Sequence, residues 1–173
     1  VNINRVEGQD SIEIKTICGT TIDGILLNEG IVSQPLYGGL LKIEDNQPIS
    51  FEELISYKKT SISPLDAFIA PKMTSVLNVI NEGTGYIPAN FRLIPSVGKE
   101  KTMKILSKLQ KIGIGGIIAI SEEGENILGL HVDEGMVGIG IIGGITPFCA
   151  LQELGHDINI KIGEELENFN ELK

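Results

Sequence analysis

Residues 135–155, GMVGIGIIGGITPFCALQELG, decide the fold. Met136 to Ile142 is an apolar, β-branched run that predicts a strand. The longer apolar run around it, Gly135 to Gly144, is broken by glycines and is about half of what a membrane helix needs, which excludes a spanning segment. Gly143-Gly144 interrupts the run, and Thr146-Pro147 opens a helix, because proline's missing N–H goes unused in a first turn. Gly155 closes that helix after Leu154.

Ser11 to Cys18 and Thr21 to Leu27 are expected to be strands by their β-branched content. Phe51 to Tyr57 is expected to be a short helix, with Ser50 and Glu53 at capping-box spacing. Ser63-Pro64 opens another helix, which Pro71 stops. Tyr86 to Ile94, edged by Pro88 and Pro95, predicts an edge strand. Ser96 is expected to cap a helix over Val97 to Ile112, ended by Gly113. Strands are expected at Gly116 to Ile120 and Asn126 to Val132, and a last one at Asp157 to Ile162 before a short acidic tail helix. Strands and helices alternate, which predicts an α/β domain.

An internal similarity refines this expectation. Gly24 to Val32 matches Gly129 to Val137, Gly38-Gly39 falls on Gly143-Gly144, and Ile62 to Phe68 matches Ile145 to Leu151. The expected fold is therefore a mixed sheet with helices, built from two pseudo-twofold-related strand-turn-strand-helix repeats, about 24–68 and 129–151, within one domain spanning 1–173.

Composition limits the function. The chain has 14 basic and 23 acidic residues, a net charge of −9, and only two arginines, Arg5 and Arg92. Binding of nucleic acid through phosphate neutralisation needs the opposite balance. Lys101, Lys104, Lys108 and Lys111 form a basic stripe at helical spacing, read as a solvated face opposite Met103, Leu106 and Leu109. Cys18 and Cys149, like His131 and His156, lack neighbours at metal-ligand spacing, so no metal site or cofactor is expected. With no signal peptide at the start, a reducing cytoplasm is the expected compartment.

Two clusters offer ligand chemistry. Gly143 and Gly144 before Thr146 bring open backbone and a hydroxyl to a helix start, where a carboxylate or phosphate can bind; equally, they permit tight strand–helix packing. Asn90 and Arg92 lie two apart on a strand and so point to one side, where a guanidinium grips a carboxylate and an amide adds a bond; the other reading is a surface ion pair. Tyr37, Lys72 and Thr74 are weaker candidates. Glu29 and Glu134 sit in matching Asn/Asp-Glu-Gly turns, where a structural role explains them. His131, polar on an apolar strand, is expected to be satisfied in the core. No nucleophile–base pair emerges, so an enzyme is not expected.

The segments LLNEGIVSQPLYGGLL (26–41), SPLDAFIAPKMTSV (63–76), GTGYIPANFRLIP (83–95) and residues 135–155 resemble the regulatory domain of NrpR proteins, from about Cys18 to the acidic end. The resemblance implies a ligand-sensing, dimerising domain of an archaeal repressor of nitrogen-assimilation genes. It also implies 2-oxoglutarate as effector, a homodimer, and DNA contact only through a separate winged-helix domain. Donor chemistry puts the expected dicarboxylate site at Asn90, Arg92 and the Thr146 helix start, with Gly143, Gly144 and Tyr37 nearby. The alternative is a structural dimerisation module without its own ligand site.

Overall fold

A computed structural model describes residues 2–5, 11–58, 64, 66–69 and 72–160. It is a mixed α/β fold centred on the strand that the opening stretch predicts. That strand, β7 (Met136–Ile142), pairs antiparallel with β5 (Gly85–Pro95) on one side and β6 (Ile117–Ile120) on the other. Beyond β5 lies a hairpin of β3 (Gln34–Glu44) and β4 (Gln47–Ser56), giving the order β4-β3-β5-β7-β6. The hairpin turns at Asp45-Asn46, both with positive φ (50° and 62°), which suits the twist of paired strands. A separate two-stranded sheet joins β1 (Asn2–Arg5) and β2 (Ile12–Lys15).

The glycines of β7 have a packing cause. Val137, Ile139 and Ile141 point to one sheet face, where they meet Ile22, Leu26, Leu106 and Leu109. Gly138 and Gly140 point to the other. A Cβ at Gly138 would come within 2.9 Å of the Phe91 ring, and one at Gly140 within 2.6 Å of Leu128. The missing side chains let a second apolar layer (Phe91, Leu93, Leu128, Val132 and Cys149) close on that face.

Helices cover both faces. On the first lie α1 (Gly19–Asn28) and α4 (Lys99–Lys111), the latter preceded by a 3-10 turn over Ser96–Gly98. On the second lie α3 (Val76–Glu82) and α5 (Thr146–Glu153), while the short α2 (Asp66–Ile69) falls within the helix expected after Pro64.

Several expectations are corrected. Thr21 to Leu27 is helical, because Ile22 and Leu26, four apart, are the positions buried against the sheet, and that period outweighs β-branched content. Phe51 to Ser56 belongs to β4; the Ser50 hydroxyl bonds the Glu52 carboxylate at 2.7 Å instead of capping a helix. Asn126 to Val132 is a loop with a lone Ile127–Leu130 bridge, broken by left-handed Leu128 and Gly129 (φ 53° and 76°). Asp157 to Ile160 forms no strand.

Other boundaries shift less. Ser96 makes no side-chain cap, and Met103 is half exposed while Thr102, Leu106 and Leu109 are buried on α4. The expected cap at Ser63, the stop at Pro71, residues 62, 63 and 65 of the Ile62 to Phe68 repeat segment and the tail helix lie outside the described residues. Of the two repeat copies, both Asn/Asp-Glu-Gly turns carry a left-handed glycine, Gly30 (φ 79°) and Gly135 (φ 78°), but a helix precedes the first and a loop the second.

β5 is central rather than an edge strand, although it contains Pro88. The Pro88 carbonyl accepts from the Gly143 N–H at 2.8 Å, so its polar edge faces β7 one place beyond the last ladder pair, Ala89–Ile142. No N–H is needed there. The Gly143 carbonyl, which such a donor would have reached, accepts from the Thr146 N–H and hydroxyl at 3.1 and 2.7 Å. Proline thus ends the ladder and leaves that carbonyl free to start α5.

Candidate functional site

Strand β5 buries two polar side chains where the sheet meets α1. Its odd residues Ile87, Ala89, Phe91 and Leu93 belong to one apolar layer, so Asn90 and Arg92 point into the other. They are 3% and 2% exposed. Arg92 Nη1 donates to Asp23 Oδ1 at 2.6 Å and to the Gly19 carbonyl at 2.9 Å. The Ser33 hydroxyl donates to the same Asp23 oxygen at 2.5 Å, and the Tyr57 hydroxyl donates to Asn90 Oδ1. Gly19 leaves the guanidinium its space, since a Cβ there would lie 2.8 Å from Arg92 Nη2 and 3.6 Å from Asn90 Nδ2.

This pairing is incomplete. Among the described residues, Arg92 Nε and Asp23 Oδ2 are buried without hydrogen-bond partners. A guanidinium offers a fork of donors that matches both oxygens of a carboxylate, and here one oxygen of one carboxylate is engaged. A buried ion pair left half-satisfied costs desolvation that its attraction only partly offsets. The cluster holds a carboxylate already, supplied by the chain itself, at a place where carboxylate recognition is chemically natural.

The sequence-predicted residues divide into three groups. Asn90 and Arg92 do share a side, as their spacing required, but they are buried rather than a surface pair. Gly144 lies against residues 16 and 17, just upstream of Gly19, while Gly143 bonds Pro88 and Thr146 bonds Gly143. A Cβ on Gly144 would sit 2.4 Å from the Ile17 carbonyl oxygen, and the Thr16 hydroxyl donates to the Gly144 carbonyl at 2.7 Å. The close approach these glycines permit is therefore to the chain's own backbone. At the start of α5 the N–H groups of Thr146, Phe148 and Cys149 bond back to Gly143 and Ile145, so the open donors expected there are engaged. Tyr37 pairs with Phe91 and packs in the opposite apolar layer, away from Asn90 and Arg92.

The remaining candidates have structural partners. Thr74 donates to Glu153 Oε1 at 2.8 Å, and the same carboxylate accepts the Val76 and Leu77 N–H groups, each at 2.8 Å. Glu153 thereby caps α3 from the end of α5, an acidic group at the positive end of a helix. Cys149 is buried beside this clamp, and burial pushes its thiol up to about 11. Both cysteines are free thiols, and Cys18 is exposed. Lys72 is exposed with a left-handed backbone (φ 55°).

Glu29 pairs with Lys101 at 2.9 Å across α1 and α4. That hydrogen bond and charge hold its carboxyl below the usual glutamate range. The carboxylate takes a lysine rather than the backbone donors expected of the turn. His131 is exposed in a loop, between Asn126 Oδ1 at 3.1 Å and Asp133 Oδ1 at 3.3 Å, and not in the core. Among the described residues no three His, Cys, Asp or Glu gather as metal ligands.

Gly19, Asp23, Tyr57 and Glu153 escape a sequence reading. Asp23 becomes visible only once Thr21 to Leu27 is read as a helix, with Gly19 and Asp23 four apart on one side and able to face a strand together.

A family model described as NrpR regulatory domains NRD1 and 2 matches residues 3–173. The chain belongs to the NrpR regulatory-domain family. It is 44% identical over 98% of its length to the global nitrogen regulator NrpRI of Methanosarcina mazei. Identity is 35% over 99% of the chain to the global nitrogen regulator NrpR of Methanococcus maripaludis, and 38% over 91% to that of Methanocaldococcus jannaschii.

The chain spans 55%, 31% and 28% of those relatives' lengths. Its fold is similar to a crystal structure of a nitrogen repressor-like protein from Methanococcus jannaschii, with a TM-score of 0.81 and 32% identity over 99% of this chain and 72% of that one. This NrpR domain is thus a regulatory domain of the nitrogen-repressor family and not an enzyme. Among the described residues no helix is long and apolar enough to cross a membrane.

Proposed function

We propose that this NrpR domain is the ligand-sensing and dimerising part of a cytoplasmic, archaeal repressor of nitrogen-assimilation genes. It answers to 2-oxoglutarate and leaves DNA to a separate winged-helix domain. The observation that carries the reading is the half-satisfied pair Arg92–Asp23, buried beside Asn90 against the start of α1. A carboxylate of the effector takes the place of Asp23 on the guanidinium, offering it two oxygens where Asp23 offers one, and Asn90 Nδ2 supplies a further donor. Asp23 then leaves, and α1, which carries it, shifts. Movement of a helix packed on the sheet is the differential contact that a ligand needs to move one conformational population toward another. The net charge of −9 keeps phosphate contact off most of this surface.

A second reading, a structural dimerisation module without its own site, is favoured by the engagement of Arg92 within the chain. Calorimetry with 2-oxoglutarate separates the two. The sensor reading expects saturable binding, weakened about tenfold or more, or 1.4 kcal/mol, by Arg92→Lys. Asp23→Asn removes the internal competitor's charge and is expected to strengthen binding. If the wild-type chain shows neither heat of binding nor ligand-dependent thermal stabilisation, the structural reading stands.

A further inference from the structure

The geometry points to the free edge of β6 as the surface on which a second copy of this chain docks, strand against strand. β6 ends the five-stranded sheet, and among the described residues no strand lies beyond it. The Gly116 carbonyl accepts from Ile142 N at 2.7 Å, and Ser121 N donates to the Gly138 carbonyl at 3.0 Å, so the polar groups of those two residues face β7. The ladder shifts register between Ile117 and Ala119, and on either side of that shift the backbone alternates between adjacent residues, so the N–H and C=O of Ile117 and of Ile120 face outward.

An outward row of backbone donors and acceptors is a template for another strand unless something guards it. Both edges are irregular, β4 pairing with β3 through two register shifts and β6 with β7 through one, between Ile117 and Ala119; what guards β4 alone is proline and charge, at Pro48, Glu52 and Glu53. β6 carries no charge and no proline. The uncharged stretch reaches from Ile112 to Ser121, and all four β6 side chains are half-buried.

The charges at its two ends choose the occupant. Before the stretch come Lys108 and Lys111 in the exposed last turn of α4, and after it come exposed Glu122, which pairs with Lys99 at 2.5 Å, Glu123 and Glu125. A second copy related by a twofold axis through β6 runs antiparallel, so each basic end lies beside the partner's acidic end. Two chains of charge −9 repel overall. A contact neutral along its middle and oppositely charged at both rims brings them together at low electrostatic cost. Pairing through the lysine face of α4 would instead set like charges together. The product is one continuous sheet across both copies.

This inference rests on the dimer reading above, and the experiment keeps the two apart. Amide hydrogen exchange is followed on the intact chain at low and high concentration, with sedimentation measuring the dimer fraction. The Ile117 and Ile120 amides are expected to gain protection in step with dimer formation. Lys111→Glu is expected to weaken the dimer about tenfold, and adding Glu125→Lys to recover it. A chain that stays monomeric overturns both readings. A dimer in which the Ile117 and Ile120 amides exchange as they do in the monomer, or protection that ignores concentration, overturns the β6 edge alone.

Discussion

Each face of the sheet half-buries a carboxylate, and the two are treated differently. On the α3/α5 face, Glu153 has its oxygens spread over three neutral donors, Thr74, Val76 and Leu77, each at 2.8 Å. On the α1/α4 face, Asp23 shares one oxygen between Arg92 and Ser33, while its other oxygen and Arg92 Nε go unpaired among the described residues. Glu153 joins two helices and asks for nothing further. Asp23 leaves part of the guanidinium's fork unmatched. The contrast separates a clamp from a latch: polar groups that are fully satisfied hold a structure, and a buried pair left incomplete is where exchange is cheapest.

Removing one half of the latch should have the largest effect. Arg92→Ala leaves the half-buried Asp23 beside an apolar layer without its cation; breaking a fully buried pair costs about 3–5 kcal/mol, an upper bound for a carboxylate that is 17% exposed. A drop in Tm of many degrees is expected. Replacing both partners, Arg92→Met with Asp23→Leu, should return most of that stability, because matched apolar groups remove the desolvation of both charges. The same double variant should lose effector binding entirely. Recovered stability with retained binding would show that the pair is not the site. Failure of the double variant to recover would show that Arg92 is needed for folding, as a clamp is.

The contrast also marks what the sequence could and could not disclose. The strand at Met136 to Ile142 and the helix after Thr146 were legible, because a long β-branched run and a proline at a first turn are local signals. Asn90 and Arg92 were legible as a pair, since alternation along a strand is fixed by geometry. Their burial was not, because it depends on α1 lying over them, and α1 itself reads locally as a strand. Thr21, Ile22 and Ile25 carry the β-branched signal, and only the sheet surface under Ile22 and Leu26 overrules it. The hairpin β3–β4 was hidden for the same reason: its pairing is non-local, and a chance capping spacing at Ser50 and Glu53 imitated a helix start. Glu153, whose donors come from more than seventy residues earlier, leaves no trace in sequence spacing.

The clamp ranks next. Glu153→Gln keeps the size and one acceptor but loses the charge at the positive end of α3, and its amide group faces donors where an oxygen had accepted them. The expected loss is about 1–2 kcal/mol, the range for a helix cap. It should appear in thermal melts, with effector affinity unchanged because the clamp and the latch lie on opposite faces. A change in affinity comparable to that of Arg92→Lys would erase the distinction between the two carboxylates.

The smallest effect belongs to the exposed pair at the other end of α1. Lys101 meets the Glu29 carboxylate at 2.9 Å and the Glu29 carbonyl at 2.6 Å, with both side chains about half exposed. Water screens such a pair, and the long lysine loses freedom in making it. Lys101→Ala should therefore leave Tm within experimental error at neutral pH. The sign of its pH dependence is set by Glu29, whose carboxyl Lys101 holds below the usual range. A carboxyl lowered in the folded state contributes above its unfolded value and loses that contribution as pH falls through the lowered one. Any difference between variant and wild type should thus shrink in acid, and it should shrink in high salt as well. Melts from neutral to acid pH at two salt concentrations measure both. A loss rivalling that of Arg92→Ala would mean that α1 is fastened at its exposed end, and that the buried latch does not decide when the helix moves.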